Sequence, residues 1–261
     1  MPSDRSYQVV LDGVEADLRS GVLSPGDRLP GERALAAKYG ISRASVREAL
    51  RVLDTIGLVQ SAVGSGPGSG AIVISDPAGG MARAMRLHMA ARTLPLDDIV
   101  QSRMLLEGWA ARAAADRVAA DEKQFPEIEE ASALLTRMSA DDVDRARFHI
   151  LDSQFHLAVS ALAGSAVIST VMDSLRETIR RYVIEAFTEL DDWAGVAAEL
   201  RRQHHGILDA VVAGDGDAAE RLARDHIAWF VDRAGVTTEP AASARSGERR
   251  LAVIPRNVVN G

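Results

Sequence analysis

The chain of 261 residues contains no cysteine. A disulfide scaffold and a thiolate zinc ribbon are thereby excluded, and any metal must be held by His, Asp or Glu. The N-terminal MPSDRSYQVVLDGVEADL lacks the apolar centre of a secretory leader, and no later stretch reaches ~18 uninterrupted apolar residues. A cytoplasmic protein with no membrane span is the expectation. A basic surplus is missing too, since the net charge is −7. Residues 1–75 hold eight basic and eight acidic side chains, so the rest of the chain, with 22 basic and 29 acidic, carries the whole excess. Specific phosphate contacts depend on where arginines stand and not on the global balance. An acidic second half is therefore compatible with DNA binding and makes non-specific binding weak and salt-sensitive. No repeat of fixed period is visible. The length exceeds the usual size of one domain, and with 47% hydrophobic residues the chain can bury a sizeable core, so two domains are expected.

The richest local pattern is LPGERALAAKYGISRASVREALRVLDTIG, from Leu29 to Gly57. It predicts a short helix over Glu32–Tyr39 with Ala34, Leu35 and Ala37 towards one side, ended by Gly40. After a tight turn, Ser42 is placed to cap a second helix whose buried face is Val46, Ala49, Leu50 and Leu53. Arg43, Ser45 and Arg47 are left on the opposite face. This is the layout of a recognition helix, whose first turn enters the major groove and offers Arg forks to guanine O6 and N7. Two apolar stretches, Leu58–Val63 and Ala71–Ile74, then alternate like a hairpin around the glycine-rich GSGPGSG beginning at Gly64.

In these residues the chain resembles the GntR family of bacterial transcription regulators, whose winged helix-turn-helix carries LPSER, then SRxxVREAL, then a glycine-rich wing. Gly31 stands where the family usually has Ser, which predicts a weaker cap on the first helix of the motif. The resemblance implies DNA contacts from Arg33, Ser42, Arg43, Ala44, Ser45 and Arg47 and from the wing at Gly64. Ala44 replaces a hydroxyl or proline common in the family and can still touch a thymine methyl.

Asp76-Pro77-Ala78-Gly79-Gly80 reads as a linker, and beyond Met81 strand signals almost vanish. Helices are expected near 81–91, 96–118, 121–138, 141–162, 165–188, 192–213 and 215–234, joined by short loops into an all-α antiparallel bundle. The organisation expected is a DNA-binding domain at 1–75, the linker, a helical effector-binding and dimerisation domain at 81–236, and a mobile tail at 237–261.

Three of those helices place polar residues on their apolar faces. Asp152 and His156 are four apart, alongside Phe148, Phe155 and Val159; His204 lies between Leu200 and Leu208; His226 lies between Leu222 and Phe230. A lone inward histidine is ordinarily a packed core residue. Four convergent donors are costly to bury unless a divalent cation satisfies them together. His149 is a reserve ligand or an outer group, and His88 and His205 are assigned to the surface or to packing.

This half resembles the FCD ligand-binding domain of the FadR-type branch of the GntR family. Its metal-binding members carry Asp-x3-His on one helix and single histidines on two later ones. The resemblance implies Asp152, His156, His204 and His226 as metal ligands, with Gln203 in place of a common Glu and Gly164-Ser165 in place of Gly-Asn. The N3O set suits zinc, and nickel, manganese or iron also accept it. Arg103, in the R-x-x-LE-like segment, is the expected partner for a small carboxylate effector, the alternative being an internal salt bridge to Glu107. The function implied is a dimeric, metabolite-responsive repressor on a pseudo-palindromic double-stranded DNA operator, with no enzymatic role. The alternative is a His/Asp metallohydrolase with an appended DNA-binding domain, which needs a base able to activate water. No such carboxylate is visible beyond Asp152.

Overall fold

A computed structural model of the chain describes residues 7–62, 70–121, 124–140, 143–189 and 192–233. It opens with α1 (Gln8–Arg19), α2 (Glu32–Tyr39) and α3 (Arg43–Thr55). Gly40 ends α2 at φ 65°, a left-handed conformation that a residue without Cβ adopts cheaply. Ser42 is extended, and its hydroxyl accepts from the Ser45 N–H at 3.1 Å, capping α3 as expected. Gly31, at the corresponding place before α2, offers no side-chain cap.

Val46, Ala49 and Leu53 are buried, with Leu50 half-buried beside them. The stripe on α2 is narrower than the sequence predicts. Leu35 is buried but Ala34 and Ala37 are exposed, because a helix of little more than two turns points few side chains at one partner. The unanticipated α1 completes this core by burying Val10 and Val14, four apart, with Leu29 and Leu35.

β1 (Val59–Ala62) and β2 (Gly70–Val73) pair antiparallel with Val59 opposite Val73. The stretch before α2 joins their edge: the Leu29 N–H donates to the Ala71 carbonyl at 2.8 Å and the Val73 N–H to Asp27 at 2.9 Å. The expected wing tip with Gly64, and the expected tail at 237–261, lie outside the described residues.

Seven further helices follow among the described residues: α4 (Pro77–Ala90), α5 (Leu96–Ala120), α6 (Pro126–Met138), α7 (Arg145–Leu162), α8 (Ala166–Glu189), α9 (Trp193–Val212) and α10 (Gly216–Arg233). Their order matches the expected bundle, with two later starts. Pro126 forces Phe125 into extended backbone and itself opens α6, and Asp144 caps α7 by accepting from the Arg147 N–H at 2.7 Å. The core is built on Phe148, Leu151, Phe155, Leu162, Leu200 and Ile207. Each such side chain contributes roughly 1.5–3 kcal/mol on burial. Small residues, Ala111, Ala114 and Ala115 on α5 and Ala219 and Ala223 on α10, let those two helices lie close.

The Asp76–Gly80 cluster is not a free linker. Asp76 caps α4 through the Gly79 N–H, and Pro77 opens the helix, a start signature in which the breaker residues become the first turn. That turn abuts the end of α3. Gly57, at φ 77°, leaves no space for a Cβ, which would fall 1.9 Å from the Asp76 carbonyl oxygen, and one on Gly80 would fall 2.3 Å from the Ile56 oxygen.

Candidate metal and effector site, and the DNA-facing helix

On α7 the four-residue spacing puts Asp152 and His156 on one inner face, and α9 and α10 bring His204 and His226 to them. One donor atom from each of the four lies within 4.8 Å of all the others. His156 Nε2 is 3.1 Å from His226 Nε2, His204 Nε2 is 3.1 Å from Asp152 Oδ1, and His156 Nε2 is 3.8 Å from the same oxygen. A tetrahedral zinc with bonds of ~2.0–2.1 Å needs ligands roughly 3.3 Å apart, so these separations bracket what an ion would require.

The outer nitrogens decide the tautomers. His156 Nδ1 is 2.8 Å from Glu107 Oε2, and a carboxylate only accepts, so Nδ1 carries the proton and Nε2 the lone pair. His226 Nδ1 is 2.9 Å from Gln203 Oε1, which orients that ring in the same sense. Two lone pairs then face each other with no proton between them. His204 is fully buried; its Nδ1 has no hydrogen-bond partner, and its Nε2 faces the Asp152 carboxylate. Burial, helped by the Arg176 guanidinium, lowers the His156 imidazole to about 4 against the pull of Glu107. Burial and the adjacent His204 and His156 hold His226 well below its usual value. Two imidazoles with anchored outer nitrogens and facing inner lone pairs, set beside His204 and one carboxylate, are a donor set that fits a divalent cation.

Glu107 sits beneath the cluster. Burial alone would raise its carboxyl, but Arg176 and Arg103 hold it well below the carboxylate range. Arg103 Nε donates to Oε1 at 2.9 Å and Arg176 Nη2 to Oε2 at 2.8 Å, while Arg176 Nη1 reaches Asp152 Oδ2 at 3.4 Å. The Arg103–Glu107 salt bridge weighed from the sequence is therefore present, and Arg103 also lines a small cavity of about 30 Å³ beside Asp152, His226 and Arg176. His149 is buried on the wall of that cavity and outside the four-residue cluster, whereas His88 and His205 are exposed.

Sequence reasoning missed Arg176 and the orienting role of Gln203. The signal for Arg176 was present: it falls between Met172 and Ile179 on the buried stripe of α8, where a guanidinium needs a reason to be.

In the first domain, Arg33, Ser42, Arg43, Ala44 and Arg47 are exposed and Ser45 is half-buried. Glu32 lies 3.4 Å from Arg43 and 3.9 Å from Arg47, exposed pairs weak enough for both side chains to leave for a phosphate or base.

Residues 6–67 match the family model for bacterial regulatory proteins of the gntR family, and residues 98–228 match that of the FCD domain. The Glc operon transcriptional activator of Escherichia coli K12 is 28% identical over 233 residues, covering 84% of this chain and 85% of the relative. The HTH-type transcriptional regulator LutR of Bacillus subtilis 168 is 27% identical over 219 residues, covering 80% and 92%. A solved structure, Streptococcus agalactiae GntR, superposes with a TM-score of 0.61 at 21% identity, covering 87% of this chain and 99% of that one. That likeness speaks to the fold alone. These relatives are regulators and not enzymes. Among the described residues no helix is long and apolar enough to cross a membrane.

Proposed function

The chain belongs to the gntR family of bacterial regulatory proteins and carries the family's FCD domain; from that premise we propose that it is a metabolite-responsive repressor whose helical domain holds a divalent cation and a small carboxylate effector. It is a DNA-binding transcription regulator and not an enzyme. In this reading residues 1–75 bind the operator through Arg33, Ser42, Arg43, Ala44, Ser45, Arg47 and the wing at Gly64. Residues 81–236 bind effector and dimerise. One winged helix reads only a few base pairs, so a two-fold dimer on a pseudo-palindromic operator is needed, with a solution mass near twice 27.9 kDa.

Asp152, His156, His204 and His226 are the ligands, and zinc is the ion expected. A cation able to take five or six ligands, held by these four, would keep a position for a ligand oxygen. Glu107 and Gln203 keep two imidazoles turned inward, and Arg103 offers a guanidinium edge to the effector carboxylate. The observation that carries the reading is the pair of Nε2 atoms 3.1 Å apart with both outer nitrogens already engaged.

Fluorescence anisotropy on a labelled operator, with zinc-loaded full-length protein and a panel of short organic acids, tests it. Wild type should release the operator when the cognate acid is added. His204→Ala and Arg103→Ala should bind operator as before and fail to release it, His204→Ala with loss of most of the metal. Release of full amplitude from metal-free protein would reject the metal-centred part and leave the regulator standing.

A further inference from the structure

We infer that the groove between α9 and α10 is the door of the cation site, and that His226 is the ligand that swings to open it. This rests on the metal reading above and extends it from which residues hold the ion to how they admit and release it. The groove encloses about 260 Å³ and is lined by exposed Arg202 and Asp225, by half-buried Gln203, Gly206 and Trp229, and by His226, which is buried. It therefore runs from the surface to one of the four ligands.

The histidines are not held equally. His156 is tied through Nδ1 to Glu107, a buried carboxylate gripped by two guanidiniums, and His204 is fully enclosed with its ring 4.8 Å from that of Phe155. His226 is held by a neutral amide, 2.9 Å from Nδ1 to Gln203 Oε1, and Gln203 Nε2 in turn donates to Glu199 at 2.7 Å. A neutral hydrogen bond holds roughly half as strongly as a charge-assisted one. Once Gln203 lets go, the ring can turn toward the groove, where there is space to receive it. Charge selects the same door. Glu199 and Asp225 border the groove against one guanidinium, Arg202, which Glu199 engages through both oxygens at 2.8 and 2.5 Å. The exposed Asp225 carboxylate is then the surplus charge. The small cavity beside Asp152 instead presents Arg103 and Arg176, which repel a cation and attract an acid. Cation and acid thus reach the site by separate doors.

Zinc exchange on the full-length protein is the test: affinity from competition with a chelator, release from mixing loaded protein with excess chromophoric chelator, and loading from the two together. At Gly206 an added Cβ makes only ordinary contact, 3.9 Å from Leu222 Cδ1, so Gly206→Met fills the groove while the backbone stays helical. Loading and release should both slow roughly tenfold at unchanged affinity, because a plug raises the barrier in both directions. Ser153→Met, on the wall of the small cavity, should keep wild-type rates. Asp225→Asn, an exposed change that spares the packing, should slow loading several-fold at low salt, leave release unaltered, and lose its effect at high salt. Gln203→Ala, which frees the ring, should speed release. A role in packing alone would shift affinity without slowing loading and release by one factor. Wild-type rates in Gly206→Met, slowing by Ser153→Met instead, or release from Gln203→Ala no faster than wild type would overturn the inference. Should Gly206→Met fail to fold, Asp225→Asn decides, and wild-type loading in that variant overturns it equally. All of these outcomes leave the metal site standing, whereas protein that takes up no zinc would overturn the metal reading and this inference with it.

Discussion

At the scale of single residues, the metal-free site stores a pH dependence. Unfolded imidazoles titrate near ~6.5, whereas folded His156 titrates at about 4 and His226 well below its usual value, both chiefly through burial. Between those values the unfolded chain binds protons that the native state does not. The stabilisation is complete above about 6.5 and is lost as the pH falls toward 4. Metal-stripped protein should therefore show a melting temperature that declines steadily from pH 7 to pH 5. A flat profile would mean that the imidazoles accept protons inside the fold. The inward placement of Asp152, His156, His204 and His226 was legible in the sequence because helical spacing alone fixes which way a side chain points relative to its apolar neighbours. Glu107 under His156, Gln203 on His226 and Arg176 on Glu107 were not, since each partner sits on a different helix and is assigned by packing.

At the scale of the element, α3 is a helix of 13 residues divided between two tasks. Val46, Ala49 and Leu53 hold it in the headpiece, and Arg43 and Arg47 project from its capped first turns. Replacing either arginine by Ala should cost about 1–3 kcal/mol of operator binding and relax the preference at one base pair. Arg51, one turn deeper and paired loosely with Glu48 at 4.0 Å, should matter less. Footprints of both single variants identical to wild type would remove α3 from the major groove. The bounds of α2 and α3 were readable because Ser42 and Gly40 punctuate them chemically. By contrast α1 carries no such signal: Tyr7 provides no side-chain cap, and its two buried valines show a stripe only once the rest of the headpiece is in place.

At the scale of the whole molecule, α4 connects the wall of the proposed effector site with the end of α3. Arg176 lies on α8, and the next residue, Glu177, pairs with Arg86 of α4 at 3.6 Å. α4 packs along α8 through Met89, Leu175 and Ile179. Its first turn then meets the end of α3: the Asp76 N–H donates to the Gly57 carbonyl at 2.7 Å, Gly80 sits on the Ile56 carbonyl, and Arg83 Nη1 reaches the Thr55 oxygen at 3.4 Å. A contact made largely backbone to backbone has little slack, so a shift of α4 would be passed to α3. The breaker residues that read as a linker in the sequence form the first turn of α4, seated against the end of α3. Gly80→Ala tests this, because the added Cβ would stand 2.3 Å from the Ile56 oxygen and must part the two helices. The variant should keep the metal and effector affinities of wild type and should bind operator within a fewfold of wild-type affinity. The ratio of operator affinities without and with effector should fall several-fold towards one. A wild-type ratio in Gly80→Ala would mean that the signal bypasses this joint.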